Sequence, residues 1–332
     1  MASVRHIWHQ TGVVAALAET AMPALLWRLG LGAAPLGPFV APGPEIVTVV
    51  PPRPAALSRD YVRHVGGDSR SYDGLVPPHL FPQWTMPTLA RTLRGLPFPM
   101  LEAVNGGCRL ELNGTLPAGA PLEVRARLES VEDDGRRAVL RQRVATGPAA
   151  CPNALVAEVF VVVPSGRRDG APPATRARKE PARVPAGARE LAYWSLGGDA
   201  GLGFAMLTGD FNPVHWSRRY GRAFGHGGAI LHGFSTMARA IEGLHRAVFA
   251  GAPDRLRVVD VRFTRALRLP ARVGLYLDET RFFVGDAPGG PAYLVGSFIA
   301  AGAPAAAPLV FARALPVARS GRGPRRAEET RP

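Results

Sequence analysis

Between Leu207 and Met237 the chain reads LTGDFNPVHWSRRYGRAFGHGGAILHGFSTM, and four residues there have types and spacing suited to proton transfer: Asp210, Asn212, Pro213 and His215. A carboxylate and an imidazole five residues apart face different ways on a regular helix or strand. Pro213 stops a helix from continuing, and an Asn-Pro step favours a turn, so both groups can be aimed at one point. Such a pair can polarise a water molecule, one member taking its proton while the other orients it, and Asn212 adds a neutral donor or acceptor. That is the chemistry of hydration and dehydration. Taken singly, Asp210 could cap a turn and His215 could be a structural histidine; the coincidence of four features in one turn favours chemistry.

An electrophilic element follows. Phe224 to Gly228 is glycine-rich, and after His232-Gly233-Phe234-Ser235 the apolar residues Met237, Ala240, Ile241 and Leu244 recur at helical spacing. A helix is expected to start near Gly233. Its first N–H groups lack intrahelical acceptors and carry the positive end of the dipole, so they can receive a carbonyl oxygen that gains charge as an enolate forms. Glycine at that point admits a substrate close to the backbone. Ser235 is read as the helix N-cap and as a substrate-binding candidate; His232 is read as structural.

The elements that must hold these residues appear in two sets. The segment PSGRRDGAPPATRARKEPARVP, within a linker placed at residues 164–186, has no apolar periodicity and divides the chain near its middle. Before it, a short helical stretch, TMPTLARTLRGL, precedes four apparent strands: Cys108 to Gly114, Leu122 to Val131, Arg137 to Ala145 and Ala154 to Val163. After it, the helix from Gly233 precedes Arg257 to Ala266, Val273 to Arg281, Tyr293 to Ala300 and Leu309 to Pro316. Helix then sheet occurs twice.

Gly209-Asp210-x-Asn212-Pro213-x-His215, then Ile230-x-His232-Gly233, Val261-Arg262-Phe263 and Leu269-Pro270, resemble the MaoC-like dehydratases, also called (R)-specific enoyl-CoA hydratases or hydratase 2. The resemblance implies an α+β hot-dog fold, a long helix wrapped by a curved antiparallel sheet. It implies that Asp210 and His215 activate water, that Asn212 helps to hold it and that the Gly233 N–H receives the thioester carbonyl. The implied reaction interconverts a trans-2-enoyl thioester of coenzyme A or acyl carrier protein with its (3R)-hydroxyacyl form, and needs no cofactor. A hot-dog unit takes roughly 120 to 150 residues, a usual domain size, so a chain of 332 residues has room for two. The chain is accordingly read as an extension (1–44), a non-catalytic unit (45–163), the linker, a catalytic unit (187–317) and a basic tail (318–332). This double hot-dog arrangement is similar to bacterial 3-hydroxyacyl-thioester dehydratases. The first unit has VGGDSRSY, Val65 to Tyr72, where the second has TGDFNPVH. It keeps Asp68 but no Asn-Pro or His, so Asp68 is read as a turn residue and His79 as a surface or packing histidine.

Composition sets limits. The formal charge is +14, but only Lys179 of the 40 basic residues is lysine, and much of the charge lies in the linker and tail. No helix-turn-helix, zinc-finger or aromatic-basic RNA signature is present, so nucleic acid is not an expected partner. Arg262, Arg265 and Arg268 are candidates for holding carrier phosphates or an acidic carrier surface, against the default of solvated surface arginines, with Arg265 taken forward as substrate-binding. Cys108 and Cys151 form no metal-ligand pattern and are expected as buried, inert thiols. His215, His226 and His232 match no metal spacing, and no metal is expected. Val13 to Leu31 is interrupted by Glu19, Pro23 and Arg28; it is read as an amphipathic extension on the enzyme body, not as a membrane span. A cytoplasmic monomer, as a pseudo-dimer, or a homodimer is expected. Thioester hydrolysis and acyl binding without turnover are the competing functions.

Overall fold

The computed structural model describes residues 4–16, 18–19, 39–165 and 181–303. The first half runs β1 (Ile46–Val50), α1 (Ala55–His64), α2 (Pro82–Thr92), β2 (Val104–Leu112), β3 (Leu122–Asp133), β4 (Arg137–Gly147) and β5 (Leu155–Pro164). The second runs β6 (Arg189–Leu196), α3 (Ala200–Thr208), α4 (Arg218–Ala223), α5 (Gly233–Ala247), β7 (Leu256–Phe263), β8 (Ala271–Asp278), β9 (Arg281–Gly285) and β10 (Ala292–Ala300). The strands form because side chains alternate between faces. In β3, Leu122, Val124, Ala126 and Leu128 are buried while Glu123, Arg125 and Arg127 turn outward.

All strands join one antiparallel sheet of ten, ordered β1-β3-β4-β5-β2-β7-β10-β9-β8-β6. Each half has the same internal order, and the halves meet where β2 pairs with β7, in register from Gly107↔Arg262 to Glu111↔Val258. The fold is α+β, a double hot-dog. One hydrophobic cluster serves both halves: Tyr61, Trp84, Leu110 and Val124 from the first belong to it with Phe204, Met237, Val261 and Phe282 from the second. Fully burying such a side chain contributes about 1.5–3 kcal/mol, so the shared cluster binds the halves into one body.

Several sequence expectations change. The strand expected over Val273 to Arg281 is a hairpin, because the chain reverses at Glu279, φ 55°, and returns as β9. Strands β1 and β6, which open each half, had not been anticipated. The strand expected at Leu309 to Pro316, the tail and most of the linker lie outside the described residues. Of the extension, residues 4–16 pack against the body: Gln10 Nε2 donates to the Leu207 carbonyl at 3.0 Å, and Val13 is buried. Residues 20–38, which include the second part of Val13 to Leu31, lie outside the described set. Cys108 is buried as expected, whereas Cys151 is half-buried.

Candidate active site

The turn from Asp210 to His215 is seated on α3. That helix stops at Gly209, whose φ of +84° is readily taken only by glycine. A Cβ there would also stand 2.7 Å from Val13, so the N-terminal segment braces the backbone just before Asp210. At Gly201 a Cβ would meet the His215 carbonyl oxygen, which means that helix and turn touch backbone to backbone. Pro213 opens a single 3-10 turn ending at His215, and the Asn212 carboxamide oxygen caps it by accepting from the Val214 N–H at 3.2 Å. The Asn212 Nδ2 group is left as a donor. Asp210 Oδ1 lies 3.3 Å from the Asn212 N–H, so the turn is tied internally.

His215 Nδ1 lies 3.0 Å from the Ile230 carbonyl. A carbonyl can only accept, so Nδ1 carries the proton and Nε2 presents a lone pair. That Nε2 is 3.9 Å from Asp210 Oδ2. His232 enters the same group: its Nε2 is 3.0 Å from the Asp210 carbonyl and 3.8 Å from Asp210 Oδ2, and its ring stacks on His215 at 3.6 Å. Burial lowers the His215 pKa, with the Asp210 carboxylate pulling the other way. Burial and the neighbouring His215 push His232 down to about 3. Both imidazoles are therefore neutral at pH 7, which leaves the His215 Nε2 lone pair able to accept a proton. His232, read from the sequence as structural, packs against both His215 and the Asp210 backbone. The Ile-x-His-Gly segment was the available signal, but spacing alone does not show that the ring would stack.

Helix α5 begins at Gly233, as its apolar periodicity predicted. A Cβ at Gly233 would stand 2.9 Å from the Phe263 ring, so β7 presses on the helix start and glycine is required by space. Ser235 is not the N-cap. That position is His232, and Ser235 sits in the first turn with its own N–H donating to the His232 carbonyl at 3.1 Å. Its hydroxyl is fully buried and has no hydrogen-bond partner among the described residues. Arg265 and Arg268 are exposed beyond β7 and Arg262 is half-buried; Arg268 crosses Gly227, where a Cβ would stand 2.8 Å from its guanidinium.

Asp210, His215 and His232 bring ligand-type atoms within 4.8 Å of one another, which raises the question of a cation. The two imidazole planes differ by only 22°, so their in-plane lone pairs run nearly parallel and do not converge at one metal-nitrogen distance. The Nε2 of His232 is also engaged with the Asp210 carbonyl. The donor set suits proton transfer better than a closed metal site.

Comparison with known proteins bears on the same segment. Residues 198–285 match the MaoC like domain family. Residues 198–285 therefore carry a MaoC-like domain. The 3-hydroxyacyl-thioester dehydratase X of Mycobacterium tuberculosis is 36% identical over 76 residues, a stretch covering 23% of this chain and 25% of that relative. The sequence match thus spans about a quarter of the relative's length. Among solved structures, HtdX of Mycobacterium tuberculosis is similar with a TM-score of 0.58 at 20% identity, covering 77% of this chain and 99% of that one. A MaoC-like dehydratase from Phytophthora capsici gives a TM-score of 0.59 at 16% identity, covering 77% and 95%. The peroxisomal multifunctional enzyme type 2 of Drosophila melanogaster gives 0.56 at 18% identity, covering 86% and 52%. At these identities the structural likeness speaks for the fold.

The first half holds a different group where the MaoC-like domain holds its turn. Asp68 caps a 3-10 turn by accepting from the Arg70 N–H and is exposed, as expected of a turn residue. His79 is deeply buried, 3.2 Å from Glu242 of α5. Tyr72, at the end of the first-half loop, donates to Glu242 at 2.8 Å and lies 3.0 Å from His245 Nδ1. A Cβ at Gly67 would collide with the same carboxylate. The MaoC-like domain's own helix therefore fills the space beside the first-half loop.

Proposed function

We propose that the chain catalyses reversible hydration of acyl thioesters, from a trans-2-enoyl to a (3R)-3-hydroxyacyl thioester, as a hydro-lyase with one active site per chain. The observation that carries this reading is the placing of the Asp210 carboxylate 3.9 Å from the free Nε2 of His215, in a turn next to the start of α5. Water held between Asp210 and His215, with Asn212 Nδ2 as a further donor, gives its proton to Nε2. Its oxygen bonds to C3 of the substrate. The C2=C3 π pair then moves toward the thioester oxygen, which the Gly233 N–H and the positive end of α5 stabilise as an enolate. Protonation at C2 by the imidazolium completes the addition and restores neutral His215. Ser235 and Arg265 are assigned to substrate binding, and coenzyme A or acyl carrier protein enters as part of the substrate.

Residues 45–163 are assigned a non-catalytic role and residues 187–317 the chemistry, with 164–186 as the linker. The first half has Tyr72 where the catalytic turn has His215, and Glu242 closes the adjoining space.

Kinetics of single variants test the assignment. Asp210→Asn and His215→Ala should each lower kcat/KM for a trans-2-enoyl-CoA by about 10²- to 10⁴-fold, the usual contribution of a general acid or base. Undiminished turnover in both variants would remove the basis of this proposal.

A further inference from the structure

Three charged side chains other than histidine are buried among the described residues: Arg239, Glu242 and Asp260. Glu242 is met by Tyr72 and His79, and Asp260 by Arg109 at 3.6 Å. Arg239, 8% exposed, has no carboxylate within 4.0 Å among the described residues, and its Nε has no hydrogen-bond partner. Desolvation lowers its pKa to about 10, which still leaves it a cation at neutral pH. A buried cation with an unpartnered Nε and no carboxylate beside it among the described residues is a costly occupant of a protein interior.

Its surroundings say where that partner would lie. Ser235, with a buried and unpartnered hydroxyl, precedes Arg239 by four residues and shares its helix face. Tyr61 and His64 of α1 are electrostatic neighbours of Arg239, and Nε2 of His64 is likewise buried without a hydrogen-bond partner among the described residues. The Phe204 ring joins this neighbourhood to the site, lying 5.9 Å from Tyr61, 6.3 Å from His64 and 4.9 Å from His232. Along α5, about 9 Å separates Gly233 from Arg239 at 1.5 Å per residue, and long helical side chains as a class lean back toward the helix start.

We propose that Arg239, assisted by Ser235, receives a carboxylate at the far end of a short acyl group, so that the preferred substrate is an enedioyl monothioester and not a plain alkyl enoyl thioester. This rests on the assignment of Gly233 to the thioester oxygen. A guanidinium meets a carboxylate through two parallel N–H bonds, and Ser235 adds a third donor. An alkyl terminus would leave the cation and the hydroxyl unsatisfied, and that kind of mismatch discriminates strongly between substrates.

The test compares trans-pent-2-enedioyl-CoA with trans-pent-2-enoyl-CoA, equal in chain length, on wild type, Arg239→Lys and Arg239→Met. Wild type should favour the carboxylated substrate in kcat/KM by at least about 10-fold. Arg239→Met should lose about 10²-fold on that substrate while changing the alkyl one only a few-fold, and Arg239→Lys should fall between. Equal or better use of the alkyl substrate by wild type, or an unchanged preference in Arg239→Met, overturns the subsite. Equilibrium binding of the saturated analogues glutaryl-CoA and pentanoyl-CoA reads the subsite without turnover. Tighter glutaryl-CoA binding that Arg239→Met abolishes supports the subsite even if no hydration is seen, whereas equal binding of the two rejects it even if hydration is fast.

Discussion

His215 can act as a base because its other ring nitrogen is committed to the Ile230 carbonyl, 3.0 Å away. Burial then keeps the ring neutral by lowering its pKa below the ordinary value, despite the opposing pull of Asp210. A lowered pKa means that the basic form persists to more acidic pH. The acidic limb of log kcat/KM against pH is therefore expected to break below about 6.5, the unperturbed histidine value; a break at pH 7 or above would contradict the neutral, buried reading of His215. Asp210, Asn212 and His215 were legible from residue types and a proline that forces a turn. The part of His232 was not, because ring stacking depends on the backbone path between Ala223 and Gly233. The N-cap role expected of Ser235 failed for a local reason: a capping residue stands outside the helix, and Ser235 already lies in its first turn.

Helices α3 and α5 hold the two halves of the candidate site, and in each a missing side chain sets the fit. A methyl group at Gly201 would run into the His215 carbonyl oxygen, which is backbone and cannot swing aside. Gly201→Ala is thus expected to destabilise the protein by about 1–3 kcal/mol, the usual cost of overpacking, and to lower kcat more than KM, because it displaces the base and not the substrate. Denaturant unfolding together with steady-state kinetics would check this; a variant with wild-type stability and kcat would show that α3 does not seat the turn. The start of α5 and the turn at Pro213 could be read from period and proline. The β8–β9 hairpin was harder to read, since its reversal places Glu279 at positive φ and only Asp278, with no Gly, Asn or Pro, marks the turn. The N-terminal brace on Gly209 could not be read, being a contact between residues almost two hundred positions apart.

At the scale of the whole molecule, the duplication was visible as helix then sheet on either side of a Pro/Arg-rich segment. The mirrored strand order and the β2–β7 joint were not, because strand pairing is decided by partners remote in sequence. Continuous pairing and a shared core predict cooperative behaviour: heat unfolding should show one transition, and two well-separated transitions in calorimetry would mean that the halves are independent. The interior also predicts acid sensitivity. Burial depresses His64 and His245 to about 4 and His232 to about 3, so between these values and about 6.5 the unfolded chain binds more protons than the folded one. Stability contributed by keeping these rings neutral is present in full above pH 6.5 and is lost as pH falls, each ring contributing up to about 1.4 kcal/mol per pH unit. The unfolding temperature should drop steeply from pH 6.5 to 4.5, and a flat profile over that range would argue that these rings are not buried neutral.

The central claim is that Asp210 and His215 add water across the enoyl double bond and leave the thioester intact. Mixing the pure protein with crotonyl-CoA and with a longer trans-2-enoyl-CoA, while following the conjugated enoyl absorbance and free thiol together, tests it most directly. Loss of absorbance without thiol release for at least one chain length, slowed by about 10²-fold or more in Asp210→Asn, is the expected result. Thiol release in step with the absorbance change, or no absorbance loss at any chain length, would contradict it.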